Sequence, residues 1–161
     1  ELDYGSLHVH LAYSKLGIDY GNDNDPYSLD GFDKKDRGII KIATLTSLNM
    51  LTEKFFSQTV AKRLLEDGLY RKDIPYKAMK EAIVMKHRPI KKYFFSGIGL
   101  EFMYLDSKVT EYIMKKFTTK KIPVLCIHDS YVVGKSYKNL LLEIMTSAFR
   151  YNKLNSIPVI K

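Results

Sequence analysis

Apolar residues recur at three- and four-residue steps through most of this chain, and at shorter steps only near its two ends. Across 98–117, Phe102, Leu105, Val109, Tyr112 and Ile113 follow that spacing and predict an amphipathic helix. Further helices are predicted over 7–16, closed by Gly17, and over 34–49, 52–67 and 75–87, with Gly68 following the third of these four. Pro89 is placed to open another. Residues 21–33 hold Gly, Asn, Asp and Pro and read as a loop. Residues 1–4 suit a short strand. Residues 122–127 and 131–133 are apolar runs flanking His128-Asp129-Ser130, which predicts a β-hairpin with a polar tip. A helix over 137–151 and a strand over 157–160 complete an α+β pattern, with strands at the two ends and helices between.

Composition sets bounds on this picture. The 161 residues are 45% hydrophobic, which predicts one globular domain large enough for a real core. The longest apolar runs fall far short of a membrane span, and no leader sequence points to secretion. A single cysteine, Cys126, forms no internal disulfide and fits a reducing, cytoplasmic setting. Glu1 opens directly into a candidate motif, so a longer parent chain is expected. The net charge of +8 is uneven: residues 1–30 carry six acidic groups and one basic, leaving +13 on the remainder. A basic body beside an acidic segment suits a polyanion partner and a carboxylate metal site; a Lys-rich surface that only keeps the protein soluble gives the same numbers.

Asp3 falls at the end of one predicted strand and Asp129 at the tip of the predicted hairpin. Strands from opposite ends of a chain can pair in one sheet. Two carboxylates so joined repel each other, and divalent cations relieve the repulsion. Two such ions about 3.5–4 Å apart clamp the attacking and leaving oxygens of a phosphoryl transfer. Mg²⁺ keeps several waters, so two aspartates and substrate phosphates suffice to hold it. The simpler reading has Asp3 capping the next helix and Asp129 as a turn residue.

Between them, Arg37, Lys41, Leu45 and Asn49 are spaced by four residues. Each step drifts about 40° around a helix, so the first three share a face, and the row runs roughly 18 Å. Two cations at one end suit a triphosphate, and a solvated basic flank is the alternative. Asp106-Ser107 reads as a template-facing or a solvated step, and Tyr131 as a base-stacking or a hairpin-packing residue.

Asp3-Tyr4-Gly5-Ser6-Leu7-His8-Val9-His10 resembles motif A of family A DNA polymerases, D-Y-S-Q-I-E-L-R. Val124-Leu125-Cys126-Ile127-His128-Asp129-Ser130 resembles motif C, with the His-Asp-Ser ending of phage-type single-subunit RNA polymerases rather than His-Asp-Glu. The Arg37-Lys41-Leu45-Asn49 row resembles motif B of the fingers helix. Asn49 stands where the family usually has Tyr, and Met50 where Gly follows.

The resemblance implies a polymerase palm, a small antiparallel sheet with packed helices, over residues 1–16 and 98–161. It places an inserted helical fingers subdomain at 17–97. It implies a divergent phage or plasmid member acting in a bacterial host, on a nucleic-acid primer-template and nucleoside triphosphates, with no membrane. Asp3 and Asp129 would hold two Mg²⁺ (or Mn²⁺) ions, the Tyr4 backbone carbonyl adding a ligand. Arg37 and Lys41 would hold the triphosphate, and Leu45 and Asn49 would border the base and sugar. His128 and Ser130 would contact primer and template. His8 stands where the DNA polymerases have a Glu crowding the ribose 2′ position, which favours deoxynucleotides, whereas Ser130 favours ribonucleotides. Two rival readings remain. One is a basic nucleic-acid-binding module or degenerate polymerase remnant. The other is a His-Asp type metal phosphohydrolase using His8, His10, His87 and His128-Asp129.

Overall fold

The computed structural model describes residues 1–161. Six helices, α1 (Leu7–Ser14), α2 (Arg37–Asn49), α3 (Phe56–Glu66), α4 (Tyr76–Lys86), α5 (Gly99–Thr119) and α6 (Lys138–Tyr151), join three short strands, β1 (Leu2–Asp3), β2 (Val124–Ile127) and β3 (Ser130–Val133). The protein is α+β, as its periodicities predict. It divides into two units, one of residues 1–23 and 101–161 and one of residues 24–100. No helix is long and apolar enough to cross a membrane.

In the first unit the strands form one antiparallel sheet in the order β1-β3-β2. Leu2 pairs with Tyr131 and Asp3 with Ser130. Strand alternation then turns Leu2, Tyr4 and Tyr131 into the core and leaves Asp3 half-buried on the other side. The Tyr4 and Tyr131 rings meet edge-on with centroids 6.2 Å apart, and Phe149 of α6 lies 5.1 Å from Tyr4. Neither phenol is stranded: Tyr4 donates to the Met145 carbonyl at 2.7 Å, and the Tyr131 hydroxyl bonds Thr110 Oγ1 of α5 at 2.7 Å. Tyr131 is therefore a packing residue, and its ring has no open face for a base. Phe102, Val109, Ile113 and Phe117 of α5 are wholly buried, as are Met145, Ala148 and Phe149 of α6.

The predicted strand over 157–160 is reduced to one bridge, Tyr4 to Ile160. Pro158 has no amide to donate, and β1 is too short to extend a ladder. The tail still bonds β1 closely, through the Asp3 amide to the Lys161 carbonyl (2.9 Å) and the Gly5 amide to the Val159 carbonyl (2.8 Å). A Cβ on Gly5 would sit 3.2 Å from that same carbonyl, a tight contact that would push the tail back by a few tenths of an ångström.

In the second unit α2 buries Ile39, Ile40, Ala43 and Leu48, α3 buries Phe56, Val60 and Leu64, and α4 buries Met79 and Ile83. The helix predicted to begin at residue 52 begins instead at Phe56. Met50 is extended (ψ 148°), and the Thr52 hydroxyl accepts the Lys54 amide at 3.4 Å, a local turn that competes with helix. The first turn of the helix predicted over 34–49 is a separate 3₁₀ turn, Lys34–Asp36, held by reciprocal Asp33–Asp36 capping bonds. The segment after Pro89 is likewise 3₁₀, Arg88–Tyr93.

His87 is buried in this unit, and its Nε2 donates to the Pro26 carbonyl at 3.0 Å. Burial drives its pKa down to about 4, against the pull of that hydrogen bond. The unfolded chain takes up this proton near pH 6.5 and the folded chain only near 4, so stability falls as pH drops through that window. His87→Asn is expected to melt lower at pH 7, by about 1–3 kcal/mol. It should also lose less of its remaining stability between pH 6.5 and 4. Thermal melts across that range check this; an unchanged acid slope counts against it.

Candidate active site

The two aspartates arrive from opposite ends of the chain by a single pairing. Asp3 lies across from Ser130, and the Tyr4 amide bonds the Asp129 carbonyl at 3.3 Å. Asp3 and Asp129 thus occupy neighbouring cross-strand positions, and both are half-buried. The capping role for Asp3 is not realised. Ser6, in the left-handed region at φ 59°, stands at the N-cap of α1, and no side chain caps that helix.

Asp129 belongs to the two-residue turn of the β2–β3 hairpin, beside His128 at φ 55°. A two-residue hairpin turn with a positive φ at its first position usually has glycine there. A side chain in this region costs on the order of 1 kcal/mol. His128 is exposed at the hairpin tip. Ser130 is buried, its hydroxyl shared between the Ile127 carbonyl (3.0 Å) and the Glu1 carboxylate (2.8 Å), so it braces the hairpin.

Four further side chains sense the charge of Asp129: His8, Asp106, Cys126 and Tyr131. His8, in the first turn of α1, is half-buried with its ring 5.9 Å from that of Phe102. Burial lowers its pKa, and the Asp129 charge opposes that shift. Asp106 of α5, noted in the sequence only as one step on its helix, is brought close enough to Asp129 to feel its charge. It is not the fully solvated step that the sequence also allowed: the residue is half-buried, and its Oδ1 is buried with no hydrogen-bond partner. Burial, then the Asp129 charge, push its pKa up to about 6. The only sequence signal was its position four residues before Thr110, on the helix face that reaches Tyr131.

The motif B row lies in the other unit, on the exposed side of α2. Arg37 there grips Asp25 through two bonds of 2.6 and 3.1 Å and lies over the Tyr27 ring at 5.3 Å. Burial works against the Asp25 charge, but Arg37 outweighs it and holds the carboxyl below its usual range. Lys41 is exposed and Leu45 half-buried. The Asn49 amide turns back on its own helix to the Leu45 carbonyl at 2.7 Å. It also fills the space a Cβ on Gly99 would need.

Against the phosphohydrolase reading, His10 and His87 spend ring nitrogens on Ser156 and Pro26 inside the protein. No group of three or more His, Cys, Asp and Glu side chains is arranged to hold an ion by itself. Asp3, Asp129 and the Tyr4 carbonyl offer hard oxygen donors of the kind Mg²⁺ prefers, with water and substrate oxygens making up the shell. On donor chemistry the residues fit the ion.

Comparison with family models, curated proteins and solved structures yields no match. The site therefore rests on its own geometry.

Asp106→Asn is expected to raise the melting temperature of the metal-free protein at pH 8, because it removes a buried unpaired charge. The sign follows from linkage. The folded carboxyl keeps its proton to about pH 6 and the unfolded one to about 4, so wild-type stability falls as pH rises between them. The advantage of the variant should therefore shrink toward pH 4. Melts in chelator at both pH values check this, with Asp129, Tyr4, Tyr131 and Cys126 as the neighbouring ionisable groups.

A second expectation concerns the hairpin tip. His128→Gly relieves the left-handed strain, so it should leave the melting temperature unchanged or raise it by up to about 1 kcal/mol equivalent. A large loss of stability would show that the ring packs rather than projects.

Proposed function

We propose that this protein is a template-directed nucleotidyltransferase built on a polymerase-like palm, with DNA synthesis preferred over RNA synthesis. The observation that carries the reading is the β1–β3 pairing, which makes Asp3 and Asp129 cross-strand neighbours although 126 positions separate them. The resemblance to motifs A and C assigns catalytic aspartates to those same two positions.

Mg²⁺ bound there supplies Lewis acidity toward a primer 3′-hydroxyl and neutralises the departing pyrophosphate. Asp3 and Asp129 would hold the ions, with the Tyr4 carbonyl as a further oxygen. On the core side of the same strand pair the Tyr4 and Tyr131 rings pack edge-on. His128 projects at the hairpin tip and meets the primer end. His8, kept neutral by burial, borders the sugar and disfavours a 2′-hydroxyl by its bulk. The resemblance to motif B would give triphosphate binding to Arg37 and Lys41; Lys41 is exposed, whereas Arg37 would have to exchange Asp25 for phosphate. Lysines elsewhere contact the template backbone.

The commitment of Arg37 to Asp25 and of Asn49 to its own helix favours a second reading, a nucleic-acid-binding module without catalysis. Primer extension with Mg²⁺, offering dNTPs and rNTPs separately, discriminates the two. Wild type is expected to incorporate dNTPs. Asp129→Asn should cut incorporation by at least about a thousandfold while primer-template affinity stays within about twofold. No incorporation from either pool by folded protein would sink the catalytic reading and leave the binding module.

A further inference from the structure

We propose that the cleft between α5 and the C-terminal end of α6 is a second nucleic-acid site, one that takes a single strand. The cleft has a volume of about 510 Å³, and its walls include Lys108, Glu111, Tyr112, Lys115, Lys116 and Tyr151. All of them belong to the first unit.

Charge is the first argument. Three ammonium groups face one carboxylate, and that carboxylate is already engaged. Glu111 accepts from Lys115 at 2.5 Å and from Lys108 at 3.0 Å, and these two lysines lower its pKa to about 2. The cleft therefore keeps a net positive charge at any physiological pH, and a polyanion can draw on all three amines. An acidic ligand would compete with Glu111 for Lys108 and Lys115, while Lys116 has no carboxylate partner and lies 5.2 Å over the Tyr112 ring.

The aromatic pair is the second argument. Tyr112 and Tyr151 lie with ring centroids 4.7 Å apart, inclined by 34°. Tyr151 is nevertheless 71% exposed, so one ring face is open next to the lysines. Open aromatic faces beside a cationic groove are how sequence-tolerant single-strand sites work: bases stack on the rings while amines follow the phosphates. A duplex keeps its bases stacked on one another and offers none to Tyr151. An acidic peptide would satisfy the lysines and leave the ring unused. Only a single strand uses both features.

This site is separate from the aspartates. Lys115 follows Asp106 by nine residues on α5, about 14 Å along the axis and half a turn around it, so the two side chains leave opposite faces of the helix. The inference therefore stands whether or not the chain catalyses nucleotide transfer.

The chain contains no tryptophan, so Tyr151→Trp installs a single reporter in the cleft. Titrating this variant with a labelled oligothymidylate of about ten nucleotides, in an Asp129→Asn background, reads anisotropy for binding and tryptophan emission for stacking. Binding is expected to quench the emission, and an abasic oligonucleotide of equal length is expected to bind without quenching. Adding Lys115→Glu and Lys116→Glu should weaken the quenching transition about tenfold and flatten the salt dependence by about 1.4 in log–log slope. Lys115→Glu alone, at a side chain 73% exposed, repeats the test if the double variant does not fold. Oligonucleotide binding with unchanged emission overturns the proposal. So do equal quenching by poly-glutamate, lysine variants within twofold of the parent, or no binding at all. Loss of primer extension bears on the aspartate site and leaves these readouts untouched.

Discussion

Two residues of β1, held on both edges, hold the first unit in register. On one side Leu2 and Asp3 pair with Tyr131 and Ser130 of β3; on the other, the Asp3 and Gly5 amides bond the carbonyls of Lys161 and Val159. An isolated strand of two residues has no stability of its own, and closing a loop of more than a hundred residues costs entropy. The pairing persists because its inward side chains join a dry cluster. Tyr4 and Tyr131 meet edge-on, Phe149 covers Tyr4, and both phenol hydroxyls find partners on α5 and α6. A slip of one residue would turn Tyr4 outward and Asp3 into that cluster, an exchange the core could not accept. The same register that packs the tyrosines therefore decides where the carboxylates stand.

Ordering carboxylates in this way carries an electrostatic cost. Asp106 keeps an unpartnered oxygen where burial and the Asp129 charge both disfavour ionisation. His8 is similarly deprived of solvent, and His128 holds a left-handed backbone at the tip of the hairpin. Three departures from relaxed structure gather around Asp129, and the left-handed backbone of His128 costs on the order of 1 kcal/mol. Strain of this kind persists only where the surrounding fold over-determines it, and here the Tyr4–Tyr131 contact and the hairpin do so. Divalent cations relieve carboxylate repulsion, which gives the arrangement a physical purpose under the nucleotidyl-transfer reading.

The second unit shows how a residue spacing can be realised on a helix while its side chains are already engaged. Arg37, Lys41 and Leu45 do run along one side of α2, with Asn49 drifting round from them, as a four-residue spacing gives. Spacing says nothing of partners. Asp25, twelve residues earlier, takes the Arg37 guanidinium, and the Asn49 amide returns to the Leu45 carbonyl. For an Arg the alternatives are carboxylate and phosphate, which present the same bidentate geometry, so the Asp25 pair is compatible with later exchange.

What the sequence by itself determined is what depends on neighbours a few positions away. The periodicity of 98–117 marks α5, the apolar runs around His128-Asp129 mark the hairpin, and the two together make the chain α+β. Such signals are local because helix and hairpin hydrogen bonds close within a few residues. Where local chemistry competes, as at Thr52, the boundary shifts; where a proline removes a donor, as at Pro158, a strand dwindles to a bridge. The tertiary structure alone decided that Asp3 stands across from Ser130, that Tyr131 packs instead of stacking on a base, and that Asp106 turns inward with one oxygen unpaired. These follow from which distant side chains share a core, and burial of that kind leaves no pattern within the few residues around Asp106.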